Sequence, residues 1–418
     1  MDSAMTADTA LPAAGFDATL GFVREGYAFI SRHCERLGAD AFRTRFLLRP
    51  VVCARGRAAA EMFYADDLAF TRRGAIPGSV RRLLQDDRSV QSLDAAAHRE
   101  RKMLFAKILG GAAVEHAVLA FGAALRAAML RWKGGEVVLH RAVREVLARV
   151  ALDLSGIAAD APTLAARTRE LGAMIDAAGS VGPANWRALW LRRRTEAWAR
   201  GLVAAYRDGR LPETEGGALA LIAGYRDGRG EPLPEAVAAV ELLNVLRPTV
   251  AIGRYVVFAA HALVRRPDWR EAFAGGGEDD LLPFVQEVRR FYPFFPAIAG
   301  RARQEFAWRG HRFRRGDLTI LDLYGTNHHP ELWPEPEAFR PERFRGWEGD
   351  AFALVAQGGG DAAVTHRCPG EDLTVALTVE AVRVLCRDAR FSAPPQDLSV
   401  SLARVPALPE SGMILRFA

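Results

Sequence analysis

Cysteine is scarce in this 418-residue chain. Its four examples, Cys34, Cys53, Cys368 and Cys386, show no C-x-x-C pairing. That argues against a disulfide framework or a zinc site and fits a reducing cytosol. No apolar run reaches membrane-spanning length, and residues 1–12 lack the basic-then-apolar layout of a secretory leader. The sequence therefore reads as a soluble, cytoplasmic protein without a transmembrane segment. Lysine is nearly missing, so the formal charge of +6 comes largely from arginine spread along the chain. Such a spread gives a basic surface and no nucleic-acid-binding arm. Internal repeats and low-complexity linkers are absent as well.

What is present is apolar bulk, 50% of the residues, enough for a large core. Periodicity predicts helices over 17–37, 58–64, 98–108, 110–132, 141–154, 163–178, 186–207 and 234–265, with Gly and Pro clusters between them. Strand patterns fall in 43–54, 305–323 and 391–417. The first twelve residues are expected to be flexible. The reading is a mainly α fold with small β-sheets at its two ends, as one domain over 13–418.

One stretch organises the chain, the run Q-G-G-G-D-A-A-V-T-H-R-C-P-G over 357–370. A Gly-rich loop delivers Cys368 to the start of an apolar helix, where free N–H groups and the dipole favour a thiolate. Such a cysteine can be a nucleophile, a packed thiol or an axial ligand to haem iron. His366 and Arg367, just before it, suit the carboxylates of an anionic cofactor. His98 and Lys102 share one helical face and could grip a carboxylate, or could belong to a solvated face. Residues 186–207 read as a solvated basic face with its tryptophans packed inward.

The oddest feature is E-L-L-N-V-L-R-P-T-V-A-I, where Arg247 and Pro248 interrupt an apolar helix. Proline there removes a backbone hydrogen bond, and a buried arginine cannot stay unpaired. Two local rules broken side by side favour an anion-binding site over a snorkelling side chain. Glu287 and Arg290 lie three apart on one helix, and Arg343 in F-R-P-E-R-F could complete a buried Glu–Arg–Arg network. Arg301, after a Pro-rich turn, could serve a propionate or a surface ion pair.

Glu287-x-x-Arg290, P-E-R-F and H-R-C-P-G, in that order and spacing, resemble the signature of a cytochrome P-450, and the likeness covers nearly the whole chain. It implies a haem b between a long kinked distal helix and the helix after the Cys loop, with Cys368 as proximal ligand. It also implies that Glu287, Arg290 and Arg343 form a structural triad behind the haem. By the same resemblance His98, Lys102, Arg301 and His366 lie near the propionates. Two departures matter. Asp361-Ala362-Ala363-Val364 replaces the usual Phe-Gly-x-Gly of the loop, and Arg247-Pro248 replaces the usual acid–alcohol pair of the distal helix.

Both departures are similar to those of the fatty-acid peroxygenase branch. That resemblance implies hydrogen peroxide as oxidant, no redox partner, and a long-chain fatty acid whose carboxylate Arg247 binds above the iron. Arginine is a poor proton shuttle, but a carboxylate that it holds can move the proton between the two oxygens of peroxide. Oxidation is then expected at the α or β carbon, with the alkyl chain against Phe294 and Pro248. Gln91 stands, by resemblance, over the distal face, where relatives that favour decarboxylation carry histidine. The alternatives are a decarboxylase giving terminal alkenes, a monooxygenase fed by a redox partner, and a non-catalytic haem binder.

Overall fold

The longest apolar stretch of the sequence becomes the centre of the molecule. The computed structural model describes residues 11–65, 69–76, 78–212 and 216–418. Two consecutive helices, Glu235–Ala251 and Gly253–Arg265, replace the single helix expected over 234–265. Pro248 offers no N–H to the carbonyl of Asn244, and the helix breaks one turn later at Ile252. Leu242, Leu243, Val245, Leu246 and Val250 are each at most 1% exposed. Their burial contributes about 10 kcal/mol, at roughly 2 kcal/mol per side chain. That outweighs the roughly 3 kcal/mol cost of an interior proline.

The helix Glu235–Ala251 packs on Pro183–Arg207, Leu139–Leu154, Ala161–Asp176 and Ala218–Ala223. The helix that follows the Cys loop, Glu371–Arg387, packs on Ala112–Trp132, Pro267–Ala274, Leu281–Phe291 and Gly253–Arg265. Among the described residues two helical stretches are apolar and long enough to cross a membrane, contrary to the expectation that none would be: Ala112–Trp132 and Glu235–Arg265. The most apolar window of the second is 83% buried within the protein. The first lays Phe121, Leu125 and Ala128 against the core.

The main sheet runs in the order Ala41–Phe46, Arg49–Ala54, Leu318–Asp322, Ala297–Ala302, Phe70–Thr71. Its first pair is an antiparallel hairpin, and Arg49–Ala54 runs parallel to Leu318–Asp322. Ala297–Ala302 was not expected from its small, Gly-bearing sequence. Only Phe391–Ser392 and Ile414–Phe417 are strands within 391–417.

Three other expectations are corrected. The helix expected over 17–37 is broken into Thr19–Glu25 and Phe29–Leu37 by a short turn at Gly26. There φ is 55°, and a Cβ would lie 2.3 Å from the Leu402 carbonyl oxygen. Of residues 1–12, the first ten lie outside the described residues. Leu11 is buried, and the Pro12 carbonyl accepts from the Arg43 N–H at 2.8 Å, so these two are held by the first strand. On Pro183–Arg207, Trp186 and Trp190 are exposed, while Arg192 is buried. Arg192 donates to the Arg82 and Gln85 carbonyls at 2.7 and 2.6 Å, at the C-terminal end of helix Gly78–Leu84. Helix carbonyl ends attract cations, which explains the reversal.

Glu287, Arg290 and Arg343 do come together. Glu287, with no exposure, accepts from Arg290 Nε and Nη2 at 2.7 Å each and from the Arg340 N–H at 2.7 Å. Arg343 Nε lies 3.3 Å away. Arg290 also donates to the Asn327 and Pro336 carbonyls. A buried pair is worth little against an apolar substitute, but removing one partner leaves an uncompensated charge. Glu287→Gln is therefore expected to lower stability by about 3 kcal/mol. Urea unfolding checks this, and a wild-type midpoint would mean that the three charges are not coupled.

Candidate active site

Backbone freedom shapes the Cys loop. Gly358 and Gly360 have φ of 97° and 77°, and a Cβ on Gly360 would sit 2.8 Å from Thr365. The Cys368 N–H donates to the Gln357 carbonyl at 3.0 Å. Burial raises the Cys368 thiol, while the Gly370 N–H, Lys102 and Gln357 oppose the rise. A nearby positive centre would hold it as thiolate. Arg367 is taken up internally, by Glu371 Oε2 at 2.6 Å and the Gly360 carbonyl. The other carboxylate oxygen of Glu371 accepts from Arg289, which also holds Gln357 Oε1 at 3.2 Å. The helix Leu281–Phe291 thus braces the loop, through a residue that sequence reasoning passed over.

Beside the loop lies a cluster of cationic and neutral bases. The rings of His98 and His366 are 3.9 Å apart. Lys102 Nζ donates to the Thr365 and Arg367 carbonyls. Burial depresses Lys102 to about 8, against a counteracting pull from Cys368. His366 is pushed well below its ordinary range by burial, then by Arg72, His98 and Lys102. Arg72, 7% exposed, was missed altogether. It lies over the rings of Phe63 and Tyr64 and donates to the Ala299 carbonyl at 2.9 Å. No carboxylate forms an ion pair with Arg72 or Lys102 among the described residues. Arg301 does not join them. Its Nε and Nη1 bond the Gly74 and Gly316 carbonyls at 2.9 and 2.8 Å, which ties it to the sheet.

Some way along the central helix sits a second cationic centre. Arg247, 6% exposed, donates from Nη2 to the Leu84 carbonyl at 2.5 Å and to Asn244 Oδ1 at 3.1 Å. Its Nη1 is buried and has no partner. Burial, with the charge of Arg192 second, depresses its pKa to about 9. Pro248 is exposed although Arg247 and Thr249 beside it are buried, so this point of the helix faces open space. Asn244 Nδ2 donates to Gln91 Oε1 at 3.1 Å and to Glu241 Oε2 at 2.9 Å. Gln91 and Arg247 thus meet through one amide. Phe294 belongs to another cluster, stacked on Tyr255 at 4.2 Å, apart from Leu243, Leu246 and Val250 around Arg247.

The fold is shared with known proteins. The cytochrome P450 family model matches residues 281–375. A variant of cytochrome P450SP alpha (CYP152B1) superposes with a TM-score of 0.93 at 43% identity, over 96% of this chain and 98% of its own. The chain is a cytochrome P450. Cytochrome P450EX alpha (CYP152N1), solved with myristic acid, gives a TM-score of 0.93 at 37% identity over 98% of each chain. A variant of cytochrome P450 OleT, solved with arachidonic acid, gives 0.94 at 32% over 98% of each. The first two are CYP152 proteins, and the chain matches them over nearly its whole length. Among curated sequences, the putative cytochrome P450 137 of Mycobacterium tuberculosis is 27% identical over 45% of this chain and 40% of its own length. The chain thus spans under half the length of that relative.

Membership of the P450 family implies a haem, and the residues present fit one. A sulfur that needs a positive centre stands beside buried donors that lack a carboxylate, as a metalloporphyrin with two propionates requires. Arg72 was illegible because it sits in a short irregular segment without periodicity. Arg72→Leu is expected to lower haem content by more than half, since two propionates would lose a buried guanidinium partner. The haem-to-protein absorbance ratio measures it, with Arg301→Leu as a comparison of smaller effect.

Proposed function

We propose that this cytochrome P450 hydroxylates long-chain fatty acids at the α or β carbon with hydrogen peroxide, without a redox partner. In this reading residues 13–418 act as one cytoplasmic catalytic unit holding haem b. The single observation that carries the reading is Arg247, a buried cation on the central helix with an unpartnered Nη1 and, among the described residues, no acid paired with it. A charge so placed needs an anion from outside. An acid whose carboxylate meets Nη1 would extend its chain along the open face at Pro248.

When bound through Cys368, haem would supply the O–O cleavage and C–H oxidation. The chain's own residues do the rest. Arg247 fixes the carboxylate by a charge-assisted hydrogen bond. With Nη2 already engaged, the buried and unpartnered Nη1 is free to donate to it. The held carboxylate takes the proton of one peroxide oxygen and returns it to the other, which leaves as water. Fatty acid and peroxide give hydroxy acid and water. Gln91 carries a neutral amide that does not titrate, so no proton carrier at that position favours loss of carbon dioxide.

Incubation of the haem-loaded enzyme with a saturated long-chain acid and peroxide, with no reductase present, is expected to give 2- and 3-hydroxy acids. Gas chromatography decides it: mainly terminal alkene would favour decarboxylation, and turnover only with a reductase would favour an ordinary monooxygenase. Arg247→Ala is expected to lower turnover by about a hundredfold or more at nearly unchanged haem content.

A further inference from the structure

The carboxylate subsite has an internal polarity, and its origin is Glu241. This residue, with no exposure, lies six residues before Arg247 on the same helix. Its Oε1 accepts from Arg101 Nη1 at 2.7 Å and from the Val90 N–H at 3.0 Å. Arg101 in turn stacks on Tyr225 at 5.3 Å. Burial raises the pKa of the Glu241 carboxyl, while Arg101, Asn244 and the Val90 N–H oppose the rise; as the carboxylate partner of Arg101 it only accepts hydrogen bonds. Asn244 must therefore turn its NH2 to Glu241 Oε2, which leaves its Oδ1 for Arg247 Nη2 and its second N–H for Gln91. Gln91 must meet that N–H with its oxygen, which also accepts from Ser89 Oγ at 2.9 Å. The remaining end of Gln91, its NH2, makes no hydrogen bond to another described residue.

We propose that Asn244, its amide oriented by the buried Glu241–Arg101 pair, is the positioning residue of the carboxylate subsite, turning Gln91 donor-outward so that Gln91 Nε2 and Arg247 Nη1 receive the substrate carboxylate together. This rests on the anchoring role proposed for Arg247. Each amide in the chain has one allowed orientation because its neighbour has one, back to a group that cannot donate. Asparagine is required for a second reason. An aspartate at 244 would give Arg247 an internal counter-ion in competition with the substrate's carboxylate and set a second carboxylate against Glu241.

Equilibrium dialysis of the haem-loaded enzyme with myristic acid and with 1-tetradecanol tests this. Asn244→Asp should weaken myristate binding by about tenfold or more and leave tetradecanol within about twofold, since only the acid uses the oriented donors. Gln91→Leu should weaken myristate in the same direction, by about threefold or more, and it decides the matter if Asn244→Asp does not fold. Wild-type affinity in both variants, with myristate lost in Arg247→Ala, would overturn the positioning role and leave the anchor standing. Wild-type affinity in Arg247→Ala would overturn the anchor itself. Equal loss of acid and alcohol in Asn244→Asp would mean a damaged pocket and would also overturn the proposal.

Discussion

A guanidinium held inside an apolar helix, with no acid among the described residues to neutralise it, is the constraint around which the active site is arranged. Moving such a charge out of water costs several kcal/mol. Part of that is offset by the Leu84 carbonyl and by Asn244, which accept from Arg247 Nη2. Helix Gly78–Leu84 ends on Arg192 and Arg247 together, so the partial negative charge of its carbonyls serves two cations. What stays uncompensated is Nη1. The proline next to it keeps the helix from closing over that point, at a cost that the surrounding leucines and valines can carry.

The molecule treats its buried cations in two ways, and the difference separates structure from function. Where the protein supplies the anion, the network is closed: Glu287 with Arg290 and Arg343, Glu241 with Arg101, Glu371 with Arg289 and Arg367. Each of these carboxylates has two or more donors, and each ties separate segments together. Where the described residues supply no anion, the cation is left to carbonyl and amide acceptors. Arg72 and Lys102 beside the Cys loop are of this kind, and so is Arg247. One group suits the propionates of a haem, the other the head of an acid.

Much of this was legible in the sequence, and the reason is locality. Cys368 in its glycine loop, Glu287 and Arg290 one turn apart, and the Arg247–Pro248 pair within an apolar helix are all patterns within a few residues. The missed features depend on partners far along the chain. Gly26 breaks a helix because the backbone at Leu402 crosses there. Arg192 turns inward because the carbonyls of another helix end face it. Arg72 gains its place only when its segment folds beside His366. Asn244 and Glu241 were visible on the helix, but nothing in their spacing told that Gln91 and Arg101 would meet them.

On the proposed reading, one charged end and an apolar wall divide the work of recognition. Apolar burial is non-directional and adds about 0.8 kcal/mol for each methylene removed from water. Lengthening the acid therefore raises affinity without telling the enzyme which carbon to oxidise. That information can come only from a directional contact, and the oriented donors around Arg247 are the directional contacts on the central helix. The position of oxidation is then counted from the carboxylate, whatever the length of the tail. A fixed cation and a fixed amide polarity thus set the chemistry, while the less specific core of leucines and valines keeps them where they are.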